Sequence, residues 1–288
     1  MVMSEMSSQG AVERLVSQSP QVAALPLIYQ RLDEAINDPH SNLSRIADII
    51  LEDSSLSARL LRLANSAMYS FPSRVETINR AITIIGTRQL QDLVLATTVV
   101  SMFRGVSAEG IDMESFWRHS IAVGICARAI AACRLEANVE RFYVLGLLHD
   151  IGRLVIYMQL PQQADESIRL SKELRLSLYQ AERRLLDFDH TDVGRVLLSS
   201  WRLPLSLQEG VGSHHTPGRA GRYPEDAATV HLADIFANAL AMGSSGEPVI
   251  PVFEAHAWES LGLSEEDLTL IITQSKAQYQ DVLDIFLE

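Results

Sequence analysis

From Leu25 onward the apolar positions recur three and four residues apart, and two-residue alternation is nowhere sustained. That spacing gathers apolar side chains on one face of a helix, whereas a half-buried strand needs a period of two. The first hundred residues therefore predict about five short helices ending near Phe103. "LPLIYQRLDEAIND" and "SNLSRIADIILED" are the first two, the second with Ser41 or Asn42 placed to cap its amino end. "SLSARLLRLANSAMYS" sets Leu56, Leu60, Leu61 and Ala64 on one face, with Met68 a turn later. "VETINRAITIIGTRQLQDLVLATTVVSMF" is helical on both sides of a break at Gly86.

Residues 104 to 113 read as a connection, and a second helical block runs from Glu114 to the region of Met242. "GSSGEP", residues 243 to 248, has linker composition. In the tail, Ser264 followed by Asp267 has the form of a capping box, and acids fill the first turn. The expected organisation is all-α and two-lobed. A flexible leader covers 1–21, a helical lobe 22–108, a second helical lobe 109–245 and a helical tail 246–288.

Composition narrows the function classes. The net charge of −12 argues against a nucleic-acid partner, since phosphate binding draws on a basic surface. From Glu247 onward nine acids face a single base, Lys276. No apolar run approaches 18 residues and no charged-then-apolar leader is present, so neither a membrane span nor a signal peptide is expected. Cys126 and Cys133 lie seven residues apart on one predicted helix, about 10 Å along its axis, too far for a disulfide. They read as small buried hydrophobes of a protein in the reducing cytoplasm.

"YVLGLLHDIGRLVIYM", residues 143 to 158, places His149 and Asp150 inside an apolar run. Burying both costs several kcal/mol, on the order of the usual penalty for an unpaired polar group, unless hydrogen bonds or a cation satisfy them. The second block holds further residues of this kind: His119 in "WRHS", His190 in "DFDHTD", His214 and His215 in "GSHHTPG", and Asp234 in "VHLADIF". Mixed imidazole and carboxylate donors suit Fe, Mn, Zn or Ni. Adjacent side chains on one helix diverge by about 100°, so Asp150 can bridge two ions while His149 binds one and the His214–His215 pair reaches the other. A hydrogen-bonded polar network without metal is the competing reading.

These segments carry a resemblance. "LEDSSLSARLLRLANSAMYSFPSRVETINRAITIIGTRQLQDLVLA", with "WRHS", "GLLHDIGRL" and "HTDVGRVLLSSWRLP", resembles the HDOD (HD-related output domain) family of bacterial signalling proteins from about Val22 to Ala241. The resemblance implies an all-helical two-lobed fold with an HD-like bundle. It also implies one or two divalent ions on His119, His149, Asp150, His190, His214, His215 and Asp234. Arg153 stands where many hydrolytic relatives have a phosphate-contacting Lys. Ser115, Thr216 and Arg222 depart from the HD-GYP pattern at a Glu, a second Glu and the Gly of GYP. The family is usually regarded as a regulatory output module. The expected function is therefore signal transduction through protein contacts, as in the output part of a response regulator. A sensor kinase or transcriptional regulator is the expected kind of partner, and a nucleotide is a candidate ligand. The alternative is a metal-dependent phosphohydrolase acting on a cyclic dinucleotide or nucleotide, in which Asp150 and Arg153 would take part in catalysis.

Overall fold

Residues 8–19, 22, 24–103, 106 and 111–287 are described by the computed structural model. They form an all-helical fold without strands. Helix α1 is Ser8–Ser17. The first lobe contains α2 (Leu27–Asn37), α3 (Leu43–Leu51), α4 (Ser54–Ala64), α5 (Ile78–Ile85) and α6 (Thr87–Met102). Its starts are set by side chains: Asn42, Asp53 and Thr77 accept from Arg45 N, Leu56 N and Arg80 N. Gly86 separates α5 from α6 at φ 101°, a value that L side chains rarely adopt.

The second lobe begins with α7 (Met113–Cys133), α8 (Val139–Leu148) and α9 (Ile151–Gln159). It continues through α10 (Pro161–Leu174), α11 (Leu178–Leu186), α12 (His190–Ser200) and α13 (Leu205–Ser213). A 3₁₀ turn at Pro217–Arg219 leads to α14 (Pro224–Ala239). The tail is α15 (Ala255–Leu261) and α16 (Glu265–Leu287). Helix α7 runs through the middle, buried from Phe116 to Ala131 except at Arg118 and Arg128, with α8, α14 and α16 packed around it. Apolar side chains of both lobes and of the tail share one core. The lobes are tied by Trp201, whose indole N–H donates to Val22 O at 2.8 Å. The tail is tied to the first lobe where Asp281 accepts from Ala67 N at 2.7 Å.

Two glycine pairs bring helix backbones together. A Cβ on Gly146 of α8 would lie 2.6 Å from the Val123 carbonyl and 2.8 Å from Gly124 of α7. A Cβ on Gly152 of α9 would run into the His190 carbonyl and lie 2.6 Å from Gly194 N of α12. The first contact draws His119 toward His149, and the second draws Asp150 toward His190.

Two expectations change, and one is not reached by the described residues. The leader is not loose throughout: α1 buries Val12 and Val16 and packs on α12, while residues 1–7 lie outside those described. The boundary at 108/109 also lies outside the described residues. "GSSGEP" is no free linker. Gly243 and Gly246 turn the chain at φ 78° and 97°, and Ser245 between them is buried.

Gly152→Ala is expected to cost about 1–3 kcal/mol or more by overpacking. Gly218→Ala, which meets nothing within 4 Å, should be close to neutral. Urea unfolding of the two variants checks this. A second expectation concerns Asp92, beside Asn138 in the cleft between the lobes. Burial pushes its carboxyl from 3.8 up to about 6. The folded chain keeps this proton to a higher pH than the unfolded chain, so the group costs stability as pH rises from 3.8 to about 6 and in full above that. Asp92→Asn should therefore add on the order of 1–3 kcal/mol at pH 8 and nothing below pH 3.8, read from urea midpoints across pH.

Candidate metal centre

The seven residues singled out in the sequence converge. His149 and Asp150 do not share a helix as expected. His149 ends α8, and Asp150 opens α9 with φ −99° and ψ 13°, outside helical geometry. The break re-aims the carboxylate between two groups of imidazoles. His119, His149 and Asp234 form one group, and Asp150, His190, His214 and His215 the other, with donor atoms in each within 4.8 Å of one another. Asp150 Oδ2 lies 3.1 Å from His149 Nε2, and its Oδ1 lies 3.2 Å from His190 Nε2. Its two oxygens thus face the two groups, the disposition of a bridging carboxylate.

Helix ends do most of the placing. His190 is the first residue of α12, set there by the capping box of Asp189 and Asp192. His214 ends α13, and His215 follows it. His119 and Asp234 come from the interiors of α7 and α14. None of the seven is more than 7% exposed.

The chemistry of the donors fits a metal. His149 Nδ1 is 2.8 Å from Gly146 O, and His214 Nδ1 is 2.8 Å from Val211 O. His190 Nδ1 is 2.6 Å from Glu182 Oε2. In each case the Nδ1–H is used, which leaves the Nε2 lone pair pointing inward, as in metal sites. His149 Nε2, His214 Nε2, Asp150 Oδ1 and both ring nitrogens of His119 are buried without a hydrogen bond. Several lie near other donors all the same: His119 Nε2 is 3.0 Å from Asp234 Oδ1, without hydrogen-bond alignment. Close approach without alignment is what atoms aimed at a common point show, and a cation at that point would satisfy them.

Electrostatics agree. Burial opposes ionisation of Asp150, but Arg153, His149 and His190 outweigh it and hold the carboxyl well below its usual range. Burial also opposes protonation of His190, yet Glu182 and Asp150 hold it up to about 10. Burial, with His149 and His190 alongside, pushes His214 down to about 3. The carboxylates are thus compensated by protons on some imidazoles while others stay neutral, and a divalent ion would take over that compensation by displacing protons.

Supporting residues escaped the sequence reading. Glu182, buried, takes both the His190 backbone N–H at 2.9 Å and its Nδ1. His231 is not a ligand. Its Nδ1 meets His214 O at 2.9 Å, and its Nε2 accepts from Glu254 N at 3.2 Å. Asn238 holds Asp234 Oδ1 at 2.7 Å, and Tyr179 stacks on His215 at 4.4 Å between ring centroids. Only the i, i+4 spacing of Asp234 and Asn238 was readable beforehand. Arg153 is buried, with its terminal nitrogens on Ser245 and Glu247 and its Nε 3.1 Å from Asp150 Oδ1 without hydrogen-bond alignment. Arg222, in place of the Gly of GYP, is exposed and has no positive φ. Its loop is shaped instead by Glu209, which accepts from Arg222 N and Tyr223 N at 2.7 and 3.0 Å.

Comparison with known proteins gives a consistent picture. The family model of the HDOD domain matches residues 22–217. An uncharacterised protein of Treponema pallidum (strain Nichols) is 26% identical over 216 residues, which are 74% of this chain and 42% of that protein. This chain thus spans less than half the length of that relative. The crystal structure of an HDOD domain protein of unknown function from Geobacter sulfurreducens is 27% identical, with TM-score 0.74 and 92% of each chain covered. A protein of Shewanella amazonensis SB2B, named as a candidate phosphohydrolase, is 25% identical, with TM-score 0.73 and 98% of this chain and 99% of its own covered.

Glu182→Ala would leave the two His190 donors without an acceptor. It is expected to cost about 1–3 kcal/mol in urea unfolding and to weaken manganese retention about 10–100-fold, the usual effect of removing an outer-shell partner, measured by competition with a fluorescent chelator.

Proposed function

The chain belongs to the HDOD domain family, and on that premise we propose that it is a regulatory signal-transduction module acting through protein contacts. Its HD cluster binds one or two divalent ions, Fe, Mn, Zn or Ni, and turns over no substrate. His119, His149 and Asp234 would hold one ion. His190, His214 and His215 would hold the other, with Asp150 shared. Such ions supply Lewis acidity toward phosphate oxygens when bound. What the chain adds around them argues for a structural or sensing use.

The observation that carries this reading is closure. All seven donors are buried, and among the described residues the cavities beside α1 and α12, between the lobes, and beside α7 and α16 are lined by other residues. Hydrolysis of a diester needs the substrate held in line beside the ions, and positioning supplies a large share of the rate. Here Tyr179 covers His215, and residues 243–247 cover Arg153. No described helix is long and apolar enough to cross a membrane. The proposed partners are proteins such as a sensor kinase or a transcriptional regulator.

The phosphohydrolase reading is favoured by one specific observation, the division of seven donors into two groups around a shared carboxylate. It is also supported by the name of the Shewanella relative. The two readings separate in one experiment. The protein is loaded with Mn or Fe(II), its metal content is measured, and cyclic di-GMP is followed by chromatography. The expected result is ion retention, lost in Asp150→Ala, with no turnover. Turnover of about 1 s⁻¹ or more, abolished by His149→Ala, would replace the regulatory reading with the enzymatic one.

A further inference from the structure

Arg153 follows the HD pair by three residues and is 1% exposed. An isolated guanidinium in such a place would be severely penalised, so its partners define what the place is for. Its Nε faces Asp150 Oδ1 at 3.1 Å. Its two terminal nitrogens have other partners. One nitrogen donates to Ser245 Oγ at 2.8 Å, and the other lies 3.4 Å from Glu247 Oε2. The Glu247 carboxylate is met from the opposite side by the backbone N–H of Leu178, at 3.0 and 3.1 Å. Its side chain is 2% exposed. A buried guanidinium and the first N–H of a helix thus converge on one carboxylate. This pair of donors is an anion-binding arrangement, and a phosphate-type oxygen group satisfies it equally well.

The carboxylate arrives on a segment built to turn in. Ser244 N donates to Ser115 O at 3.1 Å, and Gly243 lies against the His119 backbone, where a Cβ would not fit. Tyr157 holds Ser245 O at 2.9 Å. These are a handful of polar contacts made by a segment with no regular structure, so the segment can leave without unpacking a helix. Burial pushes the Glu247 carboxyl up to about 7 despite the guanidinium, so it is a weakly held anion.

We propose that Glu247 is a tethered occupant of an oxyanion site made by the Arg153 guanidinium and the Leu178 N–H, and that a phosphate-type oxyanion binds there when residues 243–247 swing out. The segment is then an autoinhibitory strap, and the ligand it excludes would sit beside Asp150. The inference rests on the regulatory reading of the HD cluster, for which it names the control.

The test uses the full chain stripped of metal by chelator, so that a failure to bind metal, which would count against the regulatory reading, does not affect it. Inorganic phosphate is titrated calorimetrically into the natural protein, Glu247→Gln and the double variant Arg153→Gln/Glu247→Gln. Glu247→Gln should bind phosphate at least tenfold more tightly than the natural protein, and the double variant should lose that gain. Affinity within twofold of the natural protein, or a gain that survives loss of Arg153, overturns the proposal. If circular dichroism shows Glu247→Gln unfolded, hydrogen exchange on the natural protein decides. Phosphate should speed exchange in residues 243–247 relative to chloride at equal ionic strength, and unchanged exchange overturns the strap.

Discussion

The carboxylate of Asp150, 1% exposed, is the charge around which the second lobe is arranged. A buried carboxylate is tolerated only when surrounding cations and donors outweigh the loss of water. Here His149, His190 and Arg153 all approach it within 3.2 Å. Each of these has its own outer partner: Gly146 O, Glu182, and Ser245 with Glu247. The cluster is therefore a layered network in which each group that meets Asp150 is oriented by an outer one. Such a network is well satisfied when complete, and removing one member leaves another charge or donor stranded.

The network is assembled from helix ends. Asp150 and His190 open α9 and α12, and His149 and His214 close α8 and α13. Helix ends carry unpaired backbone groups and partial charge, so they suit polar side chains better than helix interiors do. The same helices extend away from the cluster toward the first lobe. Helix α12 ends at Trp201, which bonds Val22 O, and α8 begins beside Asn138, which bonds Asp92. The helices that carry His149 and His190 thus also form the junction of the lobes.

Closure and chemistry pull in different directions at such a centre. Burial strengthens every charge interaction inside it and favours retention of an ion. The same burial is the feature on which the regulatory proposal rests. The 243–247 segment joins the two, because it satisfies Arg153 while covering it.

Much of this was legible in the residues themselves. Apolar spacing of three and four, with Asn42 and Gly86 as punctuation, determines the helices of the first lobe, because amphipathic periodicity and capping are local properties. The seven donors could be named from residue type and apolar context, since a buried His–Asp pair demands partners wherever it lies. Other features were decided only by the tertiary structure. That His149 and Asp150 straddle a helix break follows from the crossing of α7 with α8 and of α9 with α12, where glycine pairs let backbones touch. That Glu182 supports His190, and that His231 is a buttress rather than a ligand, depends on which helices become neighbours. The most consequential case is "GSSGEP". By composition it is a linker, because glycine and serine favour turns and solvent. In the fold it brings Glu247 within 3.4 Å of Arg153, a buried arginine 94 residues earlier in the chain that also faces Asp150. Sequence spacing carries no information about that meeting, which exists only once the whole lobe has folded.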